Sequence, residues 1–192
     1  PGASRGSGRA SALRLADTEA TILLVARTRE KLEETLVEVE AKGARAFIHT
    51  CDVSNLEDCD RLVKEVLEQH GRVDVLVNNA GRSIRRGVAS AYDRFHDYER
   101  TMQLNYFGAL RLIMGLLPSM TANRRGLIIN ISSIGVLTNA PRFSAYVASK
   151  SALDAFSRCA AAEFSDRNVR FTTINMPLVR TPMIAPTKLY NY

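Results

Sequence analysis

Gly2-Ala3-Ser4-Arg5-Gly6-Ser7-Gly8, followed a short helix-length later by Thr21-Ile22-Leu23-Leu24-Val25-Ala26, decides how the chain is read. The first stretch is a GxxxGxG turn placed to open a helix. Its glycines permit a tight turn and a close approach of backbone to a pyrophosphate. The second stretch is an apolar run long enough for a buried strand and too short for a helix. Turn, helix and buried strand together are the opening of a dinucleotide-binding unit, because the helix N-terminus offers free N–H groups and partial positive charge to an anion. A glycine turn alone also serves as a plain loop, so the elements that follow have to agree with it.

They continue the alternation. Thr28 is placed to cap a polar helix reaching about Lys42, with Gly43 as its stop. Ala44 to Cys51 reads as the next strand. Ser54-x-x-Glu57 reads as a capping box, opening a helix with Leu56, Cys59, Leu62, Val63, Val66 and Leu67 on one face and His70-Gly71 at its end. Val73 to Val77 is a strand, Asp93 to Met120 a long helical stretch, and Leu127 to Ile131 a strand. Ser144 to about Asp166 is helical, and Val169 to Asn175 is the last strand. Such alternation implies a parallel sheet covered on both faces. With right-handed crossovers this is an α/β, Rossmann-like, doubly wound parallel sheet. We expect a single domain over residues 1–192. A strand is expected ahead of the glycine turn, yet Pro1-Gly2 opens directly on it. The chain therefore reads as an incomplete part of a longer protein, with the first strand and the C-terminal end missing.

The 192 residues are 46% hydrophobic and 24% charged, which suits one soluble globular domain. No apolar run reaches the roughly 18 residues of a membrane span. No basic-then-apolar leader is present, and a cytoplasmic location is expected. The formal net charge of +6 is mild and suits phosphate-bearing small molecules. Nucleic acid is not expected as a partner: the tight basic pairs are Arg85-Arg86 and Arg124-Arg125, and Trp is absent. Cys51, Cys59 and Cys159 lack CxxC spacing and read as reduced thiols. His49, His70 and His96 share no ligand spacing, so no metal is expected.

The strand Thr21–Ala26 is followed by Arg27, where an NAD-binding fold carries an Asp or Glu for the ribose 2′-hydroxyl. A cation there, with Arg5 on the glycine turn, suits a 2′-phosphate held by charge-assisted bonds. That favours NADP(H) over NAD. A surface arginine after a strand is the alternative.

Tyr146-Val147-Ala148-Ser149-Lys150 sets a phenol and an ammonium at i and i+4 on one helix face. A neighbouring cation favours phenolate, so Lys150 is expected to lower the Tyr146 pKa. Tyr146 becomes a candidate general acid or base. Ser132-Ser133 closes one strand and Asn78-Asn79-Ala80-Gly81 another, at the sheet edge where ligands bind in open α/β folds. Turn formation also accounts for the Asn-Gly segment.

Taken in order, GxxxGxG, Cys51-Asp52-Val53, Asn79-Ala80-Gly81, Asn105, the serine pair and YxxxK resemble the short-chain dehydrogenases/reductases over essentially the whole chain. The resemblance implies roles. Tyr146 matches the acid/base, and Lys150 the lysine that lowers its pKa and holds the nicotinamide ribose. Ser133 matches the serine that hydrogen-bonds the substrate oxygen. Asn105 matches the asparagine supporting a proton-relay water. Gly2, Ser4, Arg5, Gly6, Ser7 and Gly8 match the phosphate turn. Asp52 and Val53 match the adenine contacts, and Asn79, Ala80 and Gly81 the segment beside the adenosine ribose. Pro177 and Thr181 match the loop over nicotinamide. Three positions depart from the family pattern: Pro1 for Thr, Ser7 for Ile, and Leu178 for Gly.

A closer likeness lies in Arg94–Gly108, Ser132–Lys150 and Met176–Thr187, which look like the reductase domain of bacterial fatty acyl-CoA reductases. In that group Leu178 is the expected residue. The implied reaction is NADPH-dependent reduction of a long-chain acyl-CoA to an aldehyde. Met176, Leu178, Met183 and Ile184 form an apolar segment that could close over an acyl chain, although core packing explains each as well. Arg82, Arg85 and Arg86 could meet coenzyme A phosphates. A ketone or alcohol dehydrogenase is the alternative enzyme, and a non-catalytic NADP-binding or scaffolding protein the alternative of another class. The resemblance also implies a homo-oligomer.

Overall fold

The computed structural model describes residues 2–179 and 181. They fall into two compact units. The first runs up to Asp52 and includes Asn79–Gly81 and Thr181; the second comprises Val53–Asn78 and Arg82–Val179.

In the first unit the order is α1 (Gly6–Leu15), β1 (Ile22–Ala26), α2 (Arg29–Glu40) and β2 (Ala46–Thr50). β1 and β2 are parallel, with Ile22 opposite Ala46 and Ala26 opposite Thr50. Every residue of β1 is apolar, and Ile22, Leu24 and Ala26 on one face are buried. They pack with Leu32 and Val39 of α2 and with Ala12 of α1. Burying Leu32 or Val39 contributes about 2 kcal/mol each. The glycine turn runs directly along β1: the Ala3 N–H donates to the Val25 carbonyl at 2.9 Å.

The second unit contains α3 (Leu56–His70), β3 (Val75–Asn78), α4 (His96–Met102), α5 (Ala109–Ala122), β4 (Gly126–Ser133), the short α6 (Gly135–Thr138), α7 (Ser144–Glu163) and β5 (Val169–Met176). Its sheet has the order β3-β4-β5, parallel throughout. The core gathers Ile113, Leu116, Leu117 and Met120 of α5, Ile128 of β4, Leu153 of α7 and Val169 of β5. A polar ladder crosses it. The Asn78 amide donates to Asn130 Oδ1 at 2.8 Å, and Asn130 Nδ2 donates to Ser157 Oγ at 2.7 Å. Ser157 Oγ donates in turn to the Leu153 carbonyl at 2.7 Å. Because each buried group finds a partner, the ladder specifies how β3, β4 and α7 sit together.

Three local readings change. α3 is capped by Asn55, not Ser54: Asn55 Oδ1 accepts from the N–H groups of Glu57 and Asp58, at 3.0 and 3.2 Å. The helix starts one residue later than the capping box implied, and an Asn side chain reaches those N–H groups equally well. Thr28 precedes α2 without a side-chain cap bond. The stretch from Asp93 to Met120 is not one regular helix: between α4 and α5 lies a π-helical turn, Gln103–Gly108.

Candidate active site

β4 ends on Ser132-Ser133, and α7 returns with Tyr146 and Lys150. Ser133 Oγ accepts from the Gly135 N–H at 3.1 Å, which fixes the hydroxyl at the strand end. The Ser133 hydroxyl is near enough to the Tyr146 phenol to favour its ionised form. Burial pushes the Tyr146 pKa above 10.0, and the Ser133 hydroxyl offsets only part of that. Lys150 is buried, and burial pulls its pKa from 10.5 down to about 8. Its Nζ donates to the Ile131 carbonyl at 2.7 Å. The expectation that Lys150 lowers the tyrosine pKa is therefore corrected. The i,i+4 spacing does set both side chains on one helix, but the ammonium is taken up by strand backbone. The phenol is held neutral by desolvation.

Asn105 sits in the π-helical turn and is almost wholly buried. Its Oδ1 accepts from the Arg82 N–H, and its Nδ2 donates to the Arg82 carbonyl, both at 2.8 Å. Nδ2 also donates to Ser149 Oγ at 2.9 Å, and Ser149 Oγ donates to the Tyr146 carbonyl at 2.7 Å. One amide thus joins the loop after β3 to the turn of α7 that separates Tyr146 from Lys150. The extra residue of a π-turn re-aims side chains in this way and is frequent at functional sites. Val53 packs against the same turn: a Cβ on Gly108 would lie 1.9 Å from the Val53 carbonyl oxygen.

The glycine turn belongs to the first unit. Gly6 has φ +58°, which only glycine adopts without strain. A Cβ on Gly8 would lie 2.2 Å from the Gly2 carbonyl oxygen and 2.7 Å from Asn79 Nδ2. Ser7 Oγ donates to Asn79 Oδ1 at 2.8 Å. Gly2, Gly6, Ser7, Gly8 and Asn79 are thereby brought together. Thr181 approaches the turn at Gly6. The first turn of α1 carries no acidic residue, and no side chain caps it. This N-terminus is open to an anion, so the residues present fit the phosphates of a dinucleotide. Arg5 stands at the N-cap of α1. Arg27 lies 3.8 Å from the Asp52 carboxylate in a largely exposed pair.

Asn105, Ser133, Tyr146, Lys150 and Pro177 lie in the second unit, and Ser4, Asp52, Ala80 and Gly81 in the first. Pro177 and Leu178 are exposed, while Met183 and Ile184 fall outside the described residues. Sequence reasoning missed Ser149, Asn130 and Ser157. The one signal for them was a polar Asn130 inside an otherwise apolar strand, which a buried position obliges to find partners.

The sequence matches the family model for short chain dehydrogenase over residues 1–189. The chain belongs to the short chain dehydrogenase family. A fatty acyl-CoA reductase of Acinetobacter baylyi is 58% identical over 191 residues, which are 100% of this chain and 65% of that protein. A fatty acyl-CoA reductase of Mycobacterium tuberculosis is 46% identical over 99% of the chain and 65% of its own length. The chain thus spans slightly less than two thirds of these relatives. Among solved structures, a metagenomic short-chain oxidoreductase in complex with NADP aligns with a TM-score of 0.86 at 35% identity, covering 93% of this chain and 80% of that one. An NAD+-bound xylitol dehydrogenase aligns at 0.85 and 31% identity, covering 91% and 67%. These neighbours establish the Rossmann-like α/β fold expected from the strand–helix alternation. Among the described residues, no helix is long and apolar enough to cross a membrane.

Proposed function

We propose that the chain is the reductase part of an NADPH-dependent enzyme that reduces a long-chain fatty acyl-CoA to the aldehyde. The observation carrying this reading is the pairing of two hydroxyls: Ser133, anchored by the Gly135 N–H at the end of β4, and the half-buried Tyr146 of α7, whose pKa burial raises and the Ser133 hydroxyl lowers. Two hydroxyls so placed can donate to a carbonyl oxygen as it gains charge. A bound reduced nicotinamide would supply the hydride to the carbonyl carbon. Tyr146, with its raised pKa, holds its proton at neutral pH and is suited to act as donor. Such an aligned acid is worth about 10² to 10⁴ in rate. In the thioester reaction the carbon–sulfur bond breaks, the thiolate takes up a proton, and aldehyde and free coenzyme A leave. Lys150, protonated below about pH 8, would hold the nicotinamide ribose, and Asn105 would fix the geometry behind it.

The open N-terminus of α1, with Gly2, Ser4, Gly6, Ser7 and Gly8, would receive the pyrophosphate. Asp52 and Val53 would contact the adenine, Asn79, Ala80 and Gly81 the adenosine ribose, and Pro177 and Thr181 would cover the nicotinamide. Arg27 and Arg5 would take the 2′-phosphate. The exposed Arg27–Asp52 pair is long and worth little, so a phosphate can displace it. The acyl-CoA substrate is supported by the two reductase relatives. A cytoplasmic location and a homo-oligomer complete the proposal.

The test mixes full-length protein with NADPH and palmitoyl-CoA, follows NADPH absorbance and traps free thiol. Matched loss of NADPH and release of thiol supports the reading. Turnover of ketones alone would replace it with an ordinary alcohol dehydrogenase. NADPH binding without turnover of either would favour a binding protein.

A further inference from the structure

Asp97, in the first turn of α4, has a side chain only 2% exposed and lies within hydrogen-bond reach of three guanidinium groups. Arg86 Nε donates to its Oδ2 at 3.0 Å and Arg94 Nε to the same oxygen at 3.4 Å. Arg100 Nη2 donates to Oδ1. Burial alone would raise the Asp97 pKa, but bonds from Arg86 and Arg94 and the charge of Arg100 hold it below the usual carboxylate range. Three cations thus share one anion, and positive charge is left over. The surplus faces water, because the three arginine side chains are 35%, 37% and 46% exposed. Each guanidinium has five N–H donors, most of which Asp97 does not use. The chain from Arg82 to Arg100 carries five arginines against Asp93, Asp97 and Glu99.

The cluster is tied to the candidate active site by two bonds. The Arg86 N–H donates to the Arg142 carbonyl at 2.7 Å, in the loop between Ser133 and Tyr146. Tyr98 and Ser144, two residues before Tyr146, share a hydroxyl–hydroxyl hydrogen bond at 2.9 Å.

We propose that the Asp97-held arginines Arg86, Arg94 and Arg100 form the receptor for the phosphate groups of the coenzyme A handle. This deepens the proposed function and rests on it for the acyl group, but not for phosphate binding itself. Arginine forks match phosphate oxygens two at a time. A buried carboxylate that holds three of them in place removes much of the ordering cost of binding. A solvated surface network would need neither the surplus charge nor its tie to the Ser133–Tyr146 loop.

The experiment uses full-length protein saturated with NADP+, so that the dinucleotide site is filled, and titrates coenzyme A by calorimetry. Arg94→Gln and Arg100→Gln should each weaken binding about tenfold, the scale of one lost hydrogen bond to a charged group. Arg94→Lys should lose less, and added salt should weaken the native protein. In turnover, the ratio of kcat/KM for palmitoyl-CoA to that for the N-acetylcysteamine thioester of palmitate should fall about tenfold in both Gln variants, through KM. No coenzyme A binding by the native protein, or an unchanged ratio in folded variants, overturns the proposal. Arginine-dependent coenzyme A binding without thioester reduction would uphold this receptor and sink the proposed reaction instead.

Discussion

The side-chain amide of Asn105 is paired with the backbone of Arg82 on both edges, accepting from its N–H and donating to its carbonyl at 2.8 Å each. A side chain here does what a neighbouring strand would do for Arg82, and it leaves a second amide hydrogen for Ser149. Asn105→Ala would strip partners from both Arg82 groups and from Ser149. We expect a loss of about 2 kcal/mol in stability, less than full burial implies because Arg82 is reached by water. Turnover should fall at least tenfold, since the loop after β3 and α7 lose their common tie. Asn105→Asp should be as damaging, because a carboxylate cannot donate to the carbonyl. Urea denaturation with steady-state kinetics checks this; native-like values for Asn105→Asp would refute it.

Lys150 makes stability depend on pH in a definite direction. Its folded pKa of about 8 lies below the ordinary 10.5. Between those values the unfolded chain binds more protons than the native one, so this group makes stability rise with pH across that window. The full swing is about 3 kcal/mol. Below pH 8 both states are protonated, and the cost of burying the charge is present in full. Tyr146, whose folded pKa is raised, acts oppositely above pH 10. Comparison with Lys150→Met isolates the lysine: the variant should be the more stable protein at pH 7, and its advantage should shrink between pH 8 and 10. A constant difference across denaturation curves at pH 7, 9 and 10 would contradict it.

The parts of the fold that depend on local pattern were legible. Thr21–Ala26 and Leu127–Ile131 read as strands because short apolar runs bounded by turns have few other uses, and YxxxK is visible because i,i+4 spacing fixes a shared helix face. What was hidden depends on distant partners. Asp97 sits in Arg-Phe-His-Asp-Tyr-Glu-Arg, which reads as a solvated helix start; its local partners Arg94 and Arg100 are joined by Arg86, which spacing within the segment cannot show. Ser149 looks like a spacer inside YxxxK, yet it receives the Asn105 amide from another element. The partner of Lys150 is a strand carbonyl, and spacing along α7 cannot show that. The π-helical turn has no composition signal distinguishing it from ordinary helix.

Tyr146→Phe removes one half-buried hydroxyl near Ser133. Turnover should drop by about 10² to 10⁴. Stability should stay within about 1 kcal/mol, because Ser133 keeps its bond from the Gly135 N–H. NADPH binding, read by nicotinamide fluorescence, should be retained. A variant that turns over at the native rate would remove Tyr146 from the acid role.

Arg27 offers the sharpest test of cofactor choice. Its guanidinium is the cation at the end of β1, 3.8 Å from the Asp52 carboxylate and largely exposed. If it receives a 2′-phosphate, Arg27→Asp removes a charge-assisted bond and adds a like charge to the phosphate. NADPH affinity should fall about tenfold or more on the first ground alone. NADH should gain, because the new carboxylate can accept from its free 2′-hydroxyl. The mutation touches neither the glycine turn nor Tyr146, so kcat with saturating cofactor should change little. Fluorescence titration with each dinucleotide decides it. Equal loss for both would mean that Arg27 supports the turn and does not read the phosphate; no loss for either would assign that reading to Arg5.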